Sequence, residues 1–157
     1  VVAQLTIVIC FQSLILDMAG NVGTQSLAVT IRVLMDESLT GKQKLQLVFK
    51  EMRIGFCNGL LLGVLSFAVI GLFIFLFKGK TMMFAFSVSA CIGIALLLAM
   101  LISSAVGTCI PLFFKKIHID PAVASGPLIT TVNDLVAVVT FYGLSWLFLI
   151  EMLHLAG

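Results

Sequence analysis

The chain reads as an all-α, polytopic transmembrane helix bundle of about four spans, and three observations carry that reading. Hydrophobic residues make up 61% of its 157 positions and charged residues only 10%. A soluble domain carries roughly 25% charged residues, so this chain lacks the polar surface to face water on all sides. Mean hydropathy is +1.24. Uninterrupted apolar runs recur along the chain, each long enough for a bilayer that needs about 20 residues. Lipid is the solvent for much of this surface.

The first span covers about residues 1–34. Its start is apolar, and it continues through Asp17 and Asn21 to Arg32 without a proline, as one long helix with a polar lower half. The second covers 54–77. The third, 82–114, is longer than a perpendicular crossing needs, so a tilt or a break near Pro111 is expected. The fourth covers about 121–155 and carries Pro127, Thr130, Thr131, Asn133 and Asp134 in its first half.

Charge sets the orientation. Arg32, Lys42, Lys44, Lys50, Arg53, Lys115 and Lys116 fall in links on one side of the membrane, against Lys78 and Lys80 on the other. The richer side is expected to be cytoplasmic. The chain then enters from outside, which calls for an odd number of earlier spans, most simply one. Its opening, apolar and without an initiator Met, reads as a cut through a longer protein.

The link 40–53 has a structure of its own. Thr40 and Gln43 form a T-x-x-Q capping box. Leu45, Val48, Phe49 and Met52 then recur at the spacing of one helical face, flanked by lysines. This predicts a short amphipathic helix, lying on the inner membrane surface or packed on a cytosolic domain.

Several function classes drop out. A net charge of +2, with no basic run among aromatics, gives nucleic acid nothing to hold. Cys10, Cys57, Cys91 and Cys109 stand singly, so neither a zinc site nor a disulfide framework is expected, only small buried apolar side chains. His118 and His154 sit at helix ends, which disfavours a Ser/His protease. Asp17 and Asp134 as an intramembrane aspartyl-protease pair would call for a Gly-x-Gly-Asp run, and Asn133 precedes Asp134 instead. No enzyme is expected.

Small residues mark packing faces. Gly55, Gly59 and Gly63 recur every fourth residue in the second span, and Ser103/Gly107 and Ser104/Thr108 supply similar faces on the third. Helix backbones approach closely at such faces.

The chemistry sits on the outer two spans. Asp17, Asn21 and Gln25 make a polar stripe at four-residue spacing, with Gly20, Gly23, Thr24 and Ala28 keeping the adjoining surface small. Unsatisfied polar groups at membrane depth cost several kcal/mol, so this stripe faces other helices or water. Asp134 lies near the middle of its span, where a carboxylate costs about 2.5–3.5 kcal/mol or more. Its neighbours one turn away are Thr130, Thr131, Ala137 and Val138, and no Lys or Arg lies in the centre of any span. Two readings follow: the missing charge is a mobile cation, or Asp134 is a protonated structural group. Pro127, lacking an amide hydrogen, is expected to free the carbonyl of Val123 beside a loosening Gly126. Carbonyls and carboxylates are the hard oxygen ligands that magnesium and calcium prefer.

Two runs resemble one known family. MAGNVGTQSLAVTIRVL (18–34) resembles the second transmembrane helix of the MgtE magnesium channels and transporters, with its Gly-Asn-x-Gly-x-Gln core and following Arg. DPAVASGPLITTVNDLVAVVTFYGL (120–144) is similar to that family's last helix, with the Asp-Pro start, the Ser-x-Pro and an Asp fourteen residues after the first.

The resemblance implies a protomer of five helices, the first of them missing here, working as a homodimer in the cell membrane. Its ion path runs along the twofold axis, lined by helices matching 1–34 and 120–155. It makes Asp134 the magnesium-selecting metal ligand, gives Thr130 the carbonyl that faces the ion, and makes Asp120 the cytoplasmic-end acid. Asp17, Asn21, Gln25, Thr131 and Asn133 are the expected pore-lining residues. Members often carry cytosolic regulatory domains that sense magnesium and close the pore, and none lies in this chain. Asp17 stands where the family pattern has a small or apolar residue, as a vestibule charge or an interhelical hydrogen-bonding group. A proton-coupled transporter of another divalent metal is the alternative function.

Overall fold

The computed structural model describes residues 9–36, 38–124 and 127–155. These form four long helices: α1 Gln12–Asp36, α2 Gly41–Phe77, α3 Met82–Lys116 and α4 Pro127–Leu155, with a 3-10 turn, Pro121–Ala124, before the last. Three of them, α2, α3 and α4, are long and apolar enough to cross a membrane. The protein is a multi-pass, all-α helix bundle. The first eight residues of the expected first span lie outside the described residues.

The local chemistry that starts and stops each helix is explicit. At Thr40 the capping box forms: the hydroxyl accepts from the Gln43 amide at 3.4 Å, and the Gln43 side chain accepts from the Thr40 amide at 2.8 Å. The helix this opens does not stop at residue 53. It runs for 37 residues, so the amphipathic link is the first part of α2 and not a separate helix on the membrane surface. No proline interrupts 41–77, and nothing in that sequence makes a turn. At 1.5 Å per residue α2 is about 55 Å long, well beyond the ~30 Å hydrocarbon core.

Gly79, with φ +59°, turns the chain, and the Thr81 hydroxyl caps α3 by accepting from the Phe84 amide. Pro111 lies inside α3, buried, without breaking it. The helix ends at His118 in the left-handed conformation, φ 60°. There the Ile119 amide reaches the Phe114 carbonyl and the His118 amide reaches that of Lys115, satisfying carbonyls a helix end leaves free. Pro127 is the first residue of α4. At that position its missing N–H is not needed by the helix. Val123 belongs to the separate 3-10 turn, so the expected release of its carbonyl by Pro127 inside a helix does not occur. Gly126 lies outside the described residues.

α3 is the central helix, packed on α2, α1 and α4; α1 and α4 also pack on each other, whereas α1 and α2 scarcely meet. The core holds Ile15, Ala19, Ile74, Ile92, Leu96, Ala137 and Phe141. Glycines set the closest approaches. Gly63 and Gly93 face each other across α2 and α3, each β-position 2.9 Å from the other's carbonyl oxygen, and Gly59 lies as near the Leu97 backbone. Of the cysteines only Cys91 is buried; Cys10, Cys57 and Cys109 are exposed, contrary to expectation. In lipid a thiol needs no protein cover.

Candidate ion site on helices α1 and α4

The two motif-bearing helices lie side by side and antiparallel. Near one end the Tyr142 hydroxyl donates to Gln12 Oε1 at 2.7 Å. In the middle Gly23 meets Asn133. Further on, Leu27 and Ile129 are buried in one cluster. This register puts Asn21 at the level of Asp134 and Gln25 at the level of Thr130. Asp17 falls one turn beyond Asn21.

The polar stripe of α1 points away from the bundle. Ile15, Ala19, Val22, Ser26 and Thr30 are buried, and Asp17, Asn21, Gln25 and Arg32 on the opposite face are exposed. On α4, Thr130, Thr131 and Asp134 are exposed as well. Both threonine hydroxyls donate to the Pro127 carbonyl, at 3.1 and 2.7 Å, which ties the first turn of α4 together. Among the described residues no three carboxylate, His or Cys side chains gather to hold a metal. The chain thus presents its oxygen-bearing side chains on an open face.

Asn133 differs from the other residues expected to line the pore. It is fully buried, with neither amide atom hydrogen-bonded among the described residues, and it sits against Gly23 where any β-carbon would overlap it. Gly107 of α3 packs on the Gly23 carbonyl from the other side. Asp120 lies exposed before the 3-10 turn, its Oδ1 accepting from the Ala122 amide at 2.9 Å. The α1 end near it is held by Lys115, whose ammonium donates to the Leu34 carbonyl. A cation there meets the negative end of the helix dipole.

One buried acid escaped the sequence reading. Glu51 is 1% exposed, and neither carboxylate oxygen has a hydrogen-bond partner among the described residues. Its place in a charged link reads as exposed, but it stands one turn before Gly55, Gly59 and Gly63 and continues their buried face. That four-residue spacing was the available signal.

A membrane helix bundle whose outer helices expose carboxylate, amide and hydroxyl groups at matched levels has the composition of an ion-translocating domain. The family model of the divalent cation transporter MgtE matches residues 12–144, and the chain belongs to that family. It is a family of transporters, not enzymes. The chain is 34% identical over 139 residues to the Magnesium transporter MgtE of Bacillus subtilis (88% of this chain, 29% of the relative). It is 33% identical to that of Enterococcus faecalis (94% and 31%) and 27% identical to that of Thermus thermophilus (95% and 31%). The chain thus spans under a third of the length of these relatives.

Proposed function

We propose that this chain is the pore region of a magnesium channel or transporter that works as a homodimer in the cell membrane, with the Lys/Arg-rich ends cytoplasmic. In this reading α1 crosses the membrane with the other three helices, and a preceding fifth helix and a cytosolic regulatory domain belong to the whole protein. One observation carries the proposal. The stripe Asp17, Asn21, Gln25 on α1 and the Thr131, Asp134 face of α4 are exposed on a bundle whose surface between its charged ends is mostly apolar.

Lipid cannot satisfy such groups. A second copy related by a twofold axis supplies the same polar face and encloses water between the two. Two Asp134 carboxylates then balance one divalent ion. Magnesium dehydrates reluctantly and keeps several waters, so an open, wet site lined by Asn21, Gln25, the Thr130 carbonyl and Thr131 suits it better than a closed cage. Asn133 acts behind this lining, fixing how α4 sits on α1. Asp120 stands at the cytoplasmic mouth.

The test is magnesium uptake into liposomes by the complete protein and its Asp134→Asn variant. The substitution keeps shape and deletes charge, so most flux should vanish while the melting temperature holds. Undiminished uptake would overturn the proposed role of Asp134. Uptake that follows an imposed proton gradient would move the protein to the coupled transporters.

A further inference from the structure

The charged end of α2 carries a feature unrelated to ion passage. Along α2 an open groove of about 520 Å³ is lined by Lys50, Arg53, Gln46, Asn58, Phe49 and Ile54, among others. A second groove of about 300 Å³ adjoins it at Phe49 and Arg53 and runs on along Met52, Phe56 and Leu101 of α3. The first carries the cationic and amide groups on an otherwise apolar lining, and the second is almost wholly apolar.

Two further observations define what fits. The only acid in α2 is Glu51, and its carboxylate is buried. The outer face therefore shows Lys50 and Arg53, three residues apart on one side of the helix, with no carboxylate of α2 beside them. Depth is the second. Arg53 is the last charge before an uncharged run, 54–77, that ends at Lys78. That run is about 36 Å long at 1.5 Å per residue, a little more than the ~30 Å hydrocarbon core. Arg53 thus stands at the level of lipid phosphates, with the apolar groove leading from it into the acyl region.

We propose that this paired groove binds one anionic phospholipid of the leaflet at that end. Arg53 takes the phosphate through its planar guanidinium and Lys50 adds a point charge. Gln46 and Asn58 offer hydrogen bonds to the headgroup and ester region, and an acyl chain lies along Met52, Phe56 and Leu101. The site depends on α2 crossing the membrane and is independent of how the ion passes.

The experiment uses the complete protein in phosphatidylcholine nanodiscs with a trace of spin-labelled phosphatidylglycerol or spin-labelled phosphatidylcholine. The motionally restricted fraction reports lipid held at the protein. A basic residue near the surface is worth about fivefold in affinity for an acidic lipid. With two such residues phosphatidylglycerol should therefore be preferred by about twenty-five-fold, and K50Q/R53Q should bring that preference close to unity. R53Q alone should remove about half of it on a logarithmic scale. K78Q/K80Q, at the other boundary, should leave it intact. Equal restriction of both lipids by the unchanged protein would overturn the site and point to an acidic protein segment covering the groove. So would an undiminished preference in a folded K50Q/R53Q variant, or an equal loss in K78Q/K80Q.

Discussion

The side-chain amide of Asn133 fills the space that a β-carbon on Gly23 would need, and it does so without a hydrogen bond. Gly107 closes the same point from α3. Three helices therefore meet where α1 has no side chain, and one turn of that contact fixes the register that levels Asn21 with Asp134.

Gly23→Ala should accordingly destabilise the protein by about 1–3 kcal/mol, as overpacking does in a filled core. Asn133→Ala should relieve the overlap, so the double variant should melt higher than Gly23→Ala alone. Thermal unfolding in detergent of the two single variants and the double closes the cycle. Additive effects would show that the two residues do not act through contact.

Glu51 invites the opposite experiment. A buried group without a partner costs about 1–3 kcal/mol, and more when charged. Glu51→Met keeps the length of the side chain and removes both oxygens, so its melting temperature should rise above that of the unchanged protein. A lower one would mean that the carboxylate has a partner in the assembled protein.

Thr40 is the simplest local test. Its capping box opens α2 with hydrogen bonds in both directions. Thr40→Ala should cost about 0.5–2 kcal/mol of helix stability. Hydrogen exchange should quicken at the first amides of α2 and stay unchanged in its middle. Equal exchange in both proteins would show that the helix start is held by other contacts.

These residues also mark how far the amino-acid sequence can be read. The Thr40/Gln43 box, the glycine faces and the all-α bundle follow from spacing alone, because caps and close approaches depend on neighbours within a few residues. The continuity of α2 through residue 53 did not, since an amphipathic stripe looks the same on a separate helix as at the start of a long one. Asn133 and Glu51 show a related limit. One sits in an otherwise exposed motif and the other in a charged stretch, yet each side chain turns inward. Inward or outward is settled by a partner helix far away in sequence: Gly23 for Asn133, the face of α3 for Glu51. Pro127 shows the same limit, because whether proline opens a helix or interrupts one depends on where the helix begins.

Asp17 tests the field around the proposed pore. It is exposed on the α1 stripe, one turn beyond the level of Asp134, and no hydrogen bond or ion pair holds it among the described residues. One turn is about 6 Å along the axis, inside the ~10 Å over which a charge is felt at 0.1 M salt. A carboxylate so placed raises the local concentration of cations before they reach Asp134. Asp17→Asn should therefore lower magnesium uptake severalfold at low ionic strength and little at high, where screening has already removed the contribution of the charge. Its melting temperature should match the unchanged protein at both salt levels, because the side chain gives the fold no bond to lose. A structural Asp17, bonded to another helix of the complete protein, would behave differently: stability would fall at both ionic strengths, and uptake would fall only with the amount of folded protein. Uptake measured against salt, normalised to folded protein, separates the two. A deficit that does not change with salt would assign Asp17 to packing.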